Sequence, residues 1–171
     1  MKSIGLDASS TTLGWALFEG STPVRAGTYP LRGVHIAQRC LAAEDALERL
    51  LLQWYPTKCV RLESPVWSRP NALIPQARVS GVLLLVCARH SIPVEEVTPT
   101  HAKKKLTLSG TATKEAMVRA AAPYLGFDLS ALRIYAKRTN YWVAESNGEV
   151  VYDEHAADAL AVGLCALRNH S

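Results

Sequence analysis

The feature that most limits how this chain can fold is a change of hydrophobic period between its first thirty residues and the segment that follows. Residues 3–18 read Ser-Ile-Gly-Leu-Asp-Ala-Ser-Ser-Thr-Thr-Leu-Gly-Trp-Ala-Leu-Phe. Ile4 and Leu6 lead into Asp7, a Ser/Thr turn follows, and apolar residues resume from Leu13 to Phe18, the pattern of a strand, a tight turn and a second strand. Residues 23–29 add a third strand after a turn at Glu19-Gly20-Ser21, completing an antiparallel meander. Then the period changes. Ile36, Cys40, Ala43, Leu47, Leu50, Leu51 and Trp54 recur at helical spacing until Pro56 stops the run, so a helix is laid on the sheet.

Alternation continues downstream. Residues 58–63 form the next strand with Glu63 at its end, and Pro65 favours an extended Ser64, turning the chain out of the sheet. Residues 66–74 then make a loop that displays Trp67 and Arg69 beside Glu63. A helix from about Pro75 to His90 follows, thin-waisted at Ser80-Gly81, and Ile92 to Val97 is a short strand. Strands and helices in this order predict an α/β domain whose sheet begins antiparallel and continues through parallel crossovers. A length of 171 residues suits a single domain over 1–171 with a real core. No apolar run reaches membrane-spanning length and no basic leader precedes an apolar segment, so a cytoplasmic protein with no membrane partner is expected. Cys40, Cys59, Cys87 and Cys165 stand far apart in apolar surroundings, which predicts buried free thiols rather than zinc ligands or disulfides. The net charge of +4 permits a polyanionic partner, but where the charge sits matters more than its sum.

The dense basic run is Lys103, Lys104 and Lys105, with Lys114 across a Gly-bearing turn. It reads either as a solvated helix face or as a phosphate-binding patch. Ser109-Gly110-Thr111 offers hydroxyls and N–H groups between the basic residues, and Thr113 caps a helix over Lys114–Tyr124. Residues 128–152 interleave rings with charge: Tyr135, Lys137, Arg138, Tyr141, Trp142. They read as an inserted arm or hairpin, serving as a surface hairpin, a DNA-facing arm or a dimer contact. The last helix runs from Asp153 or Glu154 to Leu167, and His155 and Asp158, three apart, share one face near its start.

Asp7 alone is explained as a residue that accepts N–H bonds in its turn. With Glu63 at another strand end and Asp158 on a nearly all-apolar helix, a different reading emerges. Three such carboxylates brought together repel unless a cation joins them or their pKa values rise strongly. Carboxylates without a cysteine set favour Mg²⁺ or Mn²⁺, and a pair of such ions suits phosphodiester hydrolysis. His155 then serves as a ligand to the second ion, softening that site toward Mn²⁺, or as a proton shuttle.

Taken together, Ile4-Gly-Leu-Asp-Ala-Ser-Ser-Thr-Thr-Leu-Gly-Trp-Ala, Glu63 closing a strand, Pro99 followed by Lys103 and by Gly110-Thr-Ala-Thr-Lys114, and His155-Ala-Ala-Asp158-Ala-Leu-Ala resemble the RuvC-type Holliday-junction resolvases of the ribonuclease H-like superfamily. The first loop alone also resembles the phosphate loop of sugar kinases and related ATPases. The resemblance to the resolvases implies a ribonuclease H-like mixed five-stranded sheet, three antiparallel strands and then parallel ones, with helices on both faces. It implies that Asp7, Glu63 and Asp158 bind two Mg²⁺ or Mn²⁺ ions, with His155 at the fourth ligand position, and that Lys103 and Lys114 serve the scissile phosphate. It further implies a homodimer joined near the helix over Ser80–His90 and acting on four-way junctions or other branched DNA. The family's junction wedge falls nearest Val66, with Trp67 next to it. Residues 128–152 are longer than in cellular members, and Pro65, Pro70 and Pro75 replace a more regular lead into the helix, features of compact members from bacteriophages and organelles; a phage or bacterial origin is the expectation. The competing readings are a branched-DNA-binding protein of the same fold without cleavage, and a nucleotide-dependent phosphotransferase suggested by Asp7 to Thr12.

Overall fold

The computed structural model describes residues 1–65, 70–138 and 141–165. Five strands form the main sheet: β1 (Lys2–Ala8), β2 (Thr12–Glu19), β3 (Thr22–Pro30), β4 (Thr57–Glu63) and β5 (Val94–Val97), in the order β3-β2-β1-β4-β5. The first three pair antiparallel, whereas β4 runs parallel to β1 and β5 parallel to β4. The expected mixed sheet is therefore present. Helices α1 (Ile36–Gln53) and α2 (Pro70–Arg89) cover one face; α5 (Glu154–Gly163) covers the other, backed by α3 (Pro99–Thr107) and α4 (Lys114–Ala121).

Strand alternation decides what meets each layer. Ile4, Leu6 and Ala8 of β1, Leu13, Trp15 and Leu17 of β2, and Val60 and Leu62 of β4 point toward α1 and α2, where Leu47, Leu50, Val79, Leu83 and Val86 complete a large aliphatic core. The intervening residues face α5: Gly5 and Asp7 on β1, Gly14, Ala16 and Phe18 on β2, Arg61 and Glu63 on β4. Leu6 stands opposite Leu62 in the β1–β4 ladder, so Asp7 and Glu63 follow side by side at the carboxyl ends of neighbouring strands. Asp7 in turn stands opposite Gly14.

Helix α5 lies unusually close to this face. A Cβ on Gly5 would come within 2.3 Å of the Ala159 carbonyl oxygen, one on Gly14 within 2.2 Å of that of His155, and one on Gly163 within 2.0 Å of the Phe18 ring. Residues Ala156 to Gly163 are buried all round, because α5 is enclosed between the sheet and α3/α4.

Several sequence expectations change in detail. Helix α2 starts at Pro70 and not near Pro75: Pro70 takes the first position, where the missing N–H costs no helical bond, and Pro75 lies inside the helix. That helix, over Asn71–Arg89, is long and apolar enough by length and composition to cross a membrane, contrary to the expectation that no run qualifies. Arg78, Gln76 and Ser80 interrupt the apolar run in sequence, but the helix averages past them. In this fold its Val79, Leu83, Val86 and Cys87 side packs into the core. The helix beginning at Lys114 ends at Ala121, followed by a 3₁₀ turn at Pro123–Leu125. Cys59, Cys87 and Cys165 are buried free thiols as expected, and Cys40 is free and half-buried.

The region beyond α4 is more than a hairpin. Strands β6 (Arg133–Arg138), β7 (Tyr141–Ser146) and β8 (Glu149–Asp153) make a second antiparallel sheet, which packs Ile134, Ala144 and Tyr152 against α4 and α5. Tyr152 donates its hydroxyl to the Val118 carbonyl at 2.8 Å.

Candidate active site

Asp7, Glu63, His155, Asp158, Lys103 and Lys114 line one cavity of about 360 Å³, together with Ser9, Gln76, Pro99 and Met117. They arrive on five elements. Asp7 and Glu63 end β1 and β4, His155 and Asp158 share the inward side of α5, Lys103 lies on α3, and Lys114 opens α4. The glycine seam under α5 makes this convergence possible: Gly14 admits the backbone of His155, and Asp7 is the strand partner of Gly14. Ser9 shapes the rim, its hydroxyl oxygen accepting the Thr12 N–H at 2.9 Å and that of Thr11 at 3.2 Å.

Opposite charges interdigitate inside the cavity. His155 Nδ1 lies 2.8 Å from Asp7 Oδ2. The Lys114 ammonium is bonded to Asp158 Oδ2 and stands 3.9 Å from Glu154 Oε1. Glu63 has no such partner among the described residues. Burial, with the repulsion of Asp7 and Asp158 added, pushes its carboxyl up to about 9. Burial and then Asp7 push Asp158 up to about 6, against the pull of Lys114 and His155. Burial alone would lower Lys114 and His155, but Asp158 and Asp7 overcome it at the lysine, and the hydrogen bond and charge of Asp7 overcome it at the histidine, leaving both raised.

Among the described residues, no three His, Cys, Asp or Glu side chains are gathered tightly enough to grip one ion as they stand. Lys114 and His155 are interposed, each engaged with one acid. The donor set nonetheless fits a hard divalent cation: three carboxylates and an imidazole border one cavity, and Glu63 ionises near neutral pH only if positive charge is brought to it.

Other sequence-predicted residues are distributed differently. Lys104 is exposed on α3, away from the cavity wall. Lys105 borders a separate cleft with Met1, Gly20 and Arg61, at the other end of β1 from Asp7. Lys137 is exposed on β6. Val66, Trp67 and Arg69 lie outside the described residues, as does the side chain of Arg138, while α5 ends at Gly163, short of the expected Leu167. Thr113 caps α4 as expected, accepting the Ala116 N–H at 3.2 Å. The hydroxyls of the Ser109–Thr111 turn instead bond within the turn, Ser109 Oγ to Thr111 Oγ1 at 3.3 Å.

Two supports of the site carry little signal in the sequence. Glu154, in sequence no more than a helix start, is buried, and its Oε2 accepts the Trp142 N–H at 2.9 Å. Asp153 caps α5 through Ala156 N–H at 3.0 Å and also accepts the hydroxyls of Tyr141 at 2.6 Å and Thr28 at 3.1 Å. Adjacency to His155 was the available signal.

A mixed sheet begun by an antiparallel meander, with acids at adjacent strand ends answered by acids on a closing helix, defines a ribonuclease H-like protein. No family model matches the chain. The crossover junction endodeoxyribonuclease RuvC of Thermomicrobium roseum is 33% identical over 124 residues, covering 68% of this chain and 74% of that relative. The protein of the same name from Syntrophomonas wolfei is 27% identical over 177 residues, covering 99% and 90%. Thermus thermophilus RuvC, solved in complex with a Holliday junction substrate, superposes with a TM-score of 0.69 at 22% identity over 96% of this chain and 91% of that one. This chain belongs to the RuvC family of crossover junction endodeoxyribonucleases.

Proposed function

We propose that the protein is a metal-dependent endodeoxyribonuclease that hydrolyses phosphodiester bonds in four-way junctions and other branched DNA. The observation that carries this reading is the meeting of Asp7, Glu63, Asp158 and His155 with Lys103 and Lys114 in one cavity. Asp7, Glu63, His155 and Asp158 would hold two Mg²⁺ or Mn²⁺ ions, which when bound supply an activated water and stabilise the leaving oxygen. The chain's own groups do the remaining work. Lys103 and Lys114 attract the scissile phosphate into the cavity and neutralise its oxygens. Asp7 orients the His155 imidazole through Nδ1, leaving its other nitrogen for a ligand or a proton. The exposed Lys137 on β6 extends the basic surface toward DNA.

A homodimer belongs to the same reading. Ile74, Ala77, Gly81, Leu84, Leu85 and Ala88 recur at helical spacing on the outward side of α2 and are exposed, with Ile74 at 54% and Leu85 at 50%. An apolar stripe of this kind is suited to a second copy of the chain, which would supply the second site for the symmetric strand. The chain is proposed to be one nuclease domain over 1–171, with the second sheet as its inserted arm.

The test is cleavage of synthetic four-way, three-way and linear DNA in Mg²⁺ or Mn²⁺. Asp7→Asn or Glu63→Gln is expected to lower cleavage by at least about a hundredfold while leaving junction binding intact. Equal nicking by wild type and variants would overturn the assignment.

A further inference from the structure

We propose that Glu154 is a positioning residue for Lys114: it is the carboxylate onto which the ammonium moves when Asp158 binds a divalent cation. The inference rests on the metal-site reading above and assigns a role to a residue outside the proposed ligand set.

Lys114 stands between two buried acids. Its ammonium is bonded to Asp158 Oδ2 and lies 3.9 Å from Glu154 Oε1. The two carboxylate side chains are 7% and 10% exposed, whereas that of Lys114 is 38% exposed, so the lysine is the partner with room to move. Lys114 and a divalent cation compete for the same Asp158 oxygen, and two positive charges on one carboxylate repel. Lys114 can yield that oxygen without being driven into solvent, because Glu154 is within reach of a small change in its side-chain torsions.

Glu154 is held where that transfer requires it. It occupies the first turn of α5, where the helix dipole favours a negative charge. Its Oε2 accepts the Trp142 N–H of β7 at 2.9 Å, which leaves Oε1 facing Lys114. It does not border the cavity that Asp7, Glu63, His155 and Asp158 share. The second sheet therefore reaches the catalytic machinery through a backbone N–H: β7 fixes Glu154, and Glu154 offers Lys114 a second anchor beside the place where a phosphate would lie.

The test is Mn²⁺ binding without DNA, measured by calorimetry and by the paramagnetic resonance of free Mn²⁺, for wild type, Lys114→Met, Glu154→Gln and the double variant. Lys114→Met removes the competitor and is expected to tighten Mn²⁺ about fivefold or more. Glu154→Gln keeps an acceptor for the Trp142 N–H but removes the second anchor; it is expected to weaken Mn²⁺ several-fold while Lys114 is present and to have no effect once Lys114→Met is made. No tightening in Lys114→Met overturns the proposal. So does an equal weakening by Glu154→Gln in both backgrounds, which would mean a through-space effect of charge alone. Should Glu154→Gln fail to melt cooperatively, Glu154→Asp, which keeps the charge but shortens its reach to Lys114, takes its place in the cycle with the same expected outcomes. Absence of Mn²⁺ binding by wild type, or binding indifferent to Asp7→Asn and Glu63→Gln, would sink the metal-site reading itself; normal binding with a flat cycle sinks only the role of Glu154.

Discussion

The two faces of the main sheet solve opposite problems. Toward α1 and α2 the sheet presents Ile4, Leu6, Leu13, Leu17 and Leu62, and the helices answer with Leu47, Leu50, Val79 and Leu83. Bulk keeps those helices at a distance and supplies stability through buried apolar area. Toward α5 the sheet offers Gly5, Gly14 and Ala16, answered by Ala156, Ala159 and Gly163. Removing side chains forgoes apolar area but brings backbones together, and that closeness sets His155 beside Asp7. One face is built to hold the fold, the other to hold a distance.

This contrast is open to direct attack. Gly14→Val should do the most damage, since its Cβ would meet the His155 carbonyl at 2.2 Å and neither backbone can give way. More than about 3 kcal/mol of stability should vanish, along with cleavage, as read from urea melts and junction assays. Leu47→Ala, fully buried on the other face, should lose about 2–5 kcal/mol through the cavity it leaves, yet its turnover per folded molecule should match wild type. If cleavage fell in step with that of Gly14→Val, the faces would not be separable in function.

A smaller effect concerns pH. The carboxyl of Glu63 is raised to about 9, so the folded chain keeps a proton there that the unfolded chain releases in the ordinary carboxylate range. Its stabilising contribution is full below that range and is lost as pH rises toward about 9. In chelator, melts of wild type should fall across this interval, and Glu63→Gln should remove that part of the slope. The smallest change in protomer stability is expected from Leu84→Glu with Leu85→Glu, on the outward side of α2: within about 0.5 kcal/mol per substitution, but with dimer converted to monomer in sedimentation. A dimer that survived both would place the subunit contact elsewhere.

Much of the main sheet was legible because alternation and helical period report burial directly. Ile4 and Leu6 reveal β1, and Leu47 and Leu50 reveal α1. Asp158 stands out because an acid on a nearly all-apolar helix demands a reason, and Asp7 and Glu63 gain meaning only in its company. The seam was not legible: Gly5 and Gly14 look in sequence like any strand glycines, and only the docked α5 shows what they exclude. The second sheet was obscured by its own half-exposure. Tyr135, which donates its hydroxyl to Glu145 at 2.8 Å, and Lys137 on the same strand mix rings and charge as a free hairpin would. Lys105 illustrates a further limit: two residues from Lys103, it lies on another side of α3 and borders a different cleft. A run of like residues is a line in sequence but a spiral on a helix.

The contact between His155 and Asp7 spans 148 positions of the chain. Its consequence is one of timing. Asp7 is made long before His155 and Asp158, so the cavity they share closes only after every strand of the main sheet has been made. Contacts between such distant residues form slowly. A chain caught halfway through synthesis, or cut before Asp153, carries the first two acids without the helix that answers them, and would pass the DNA around it without cutting.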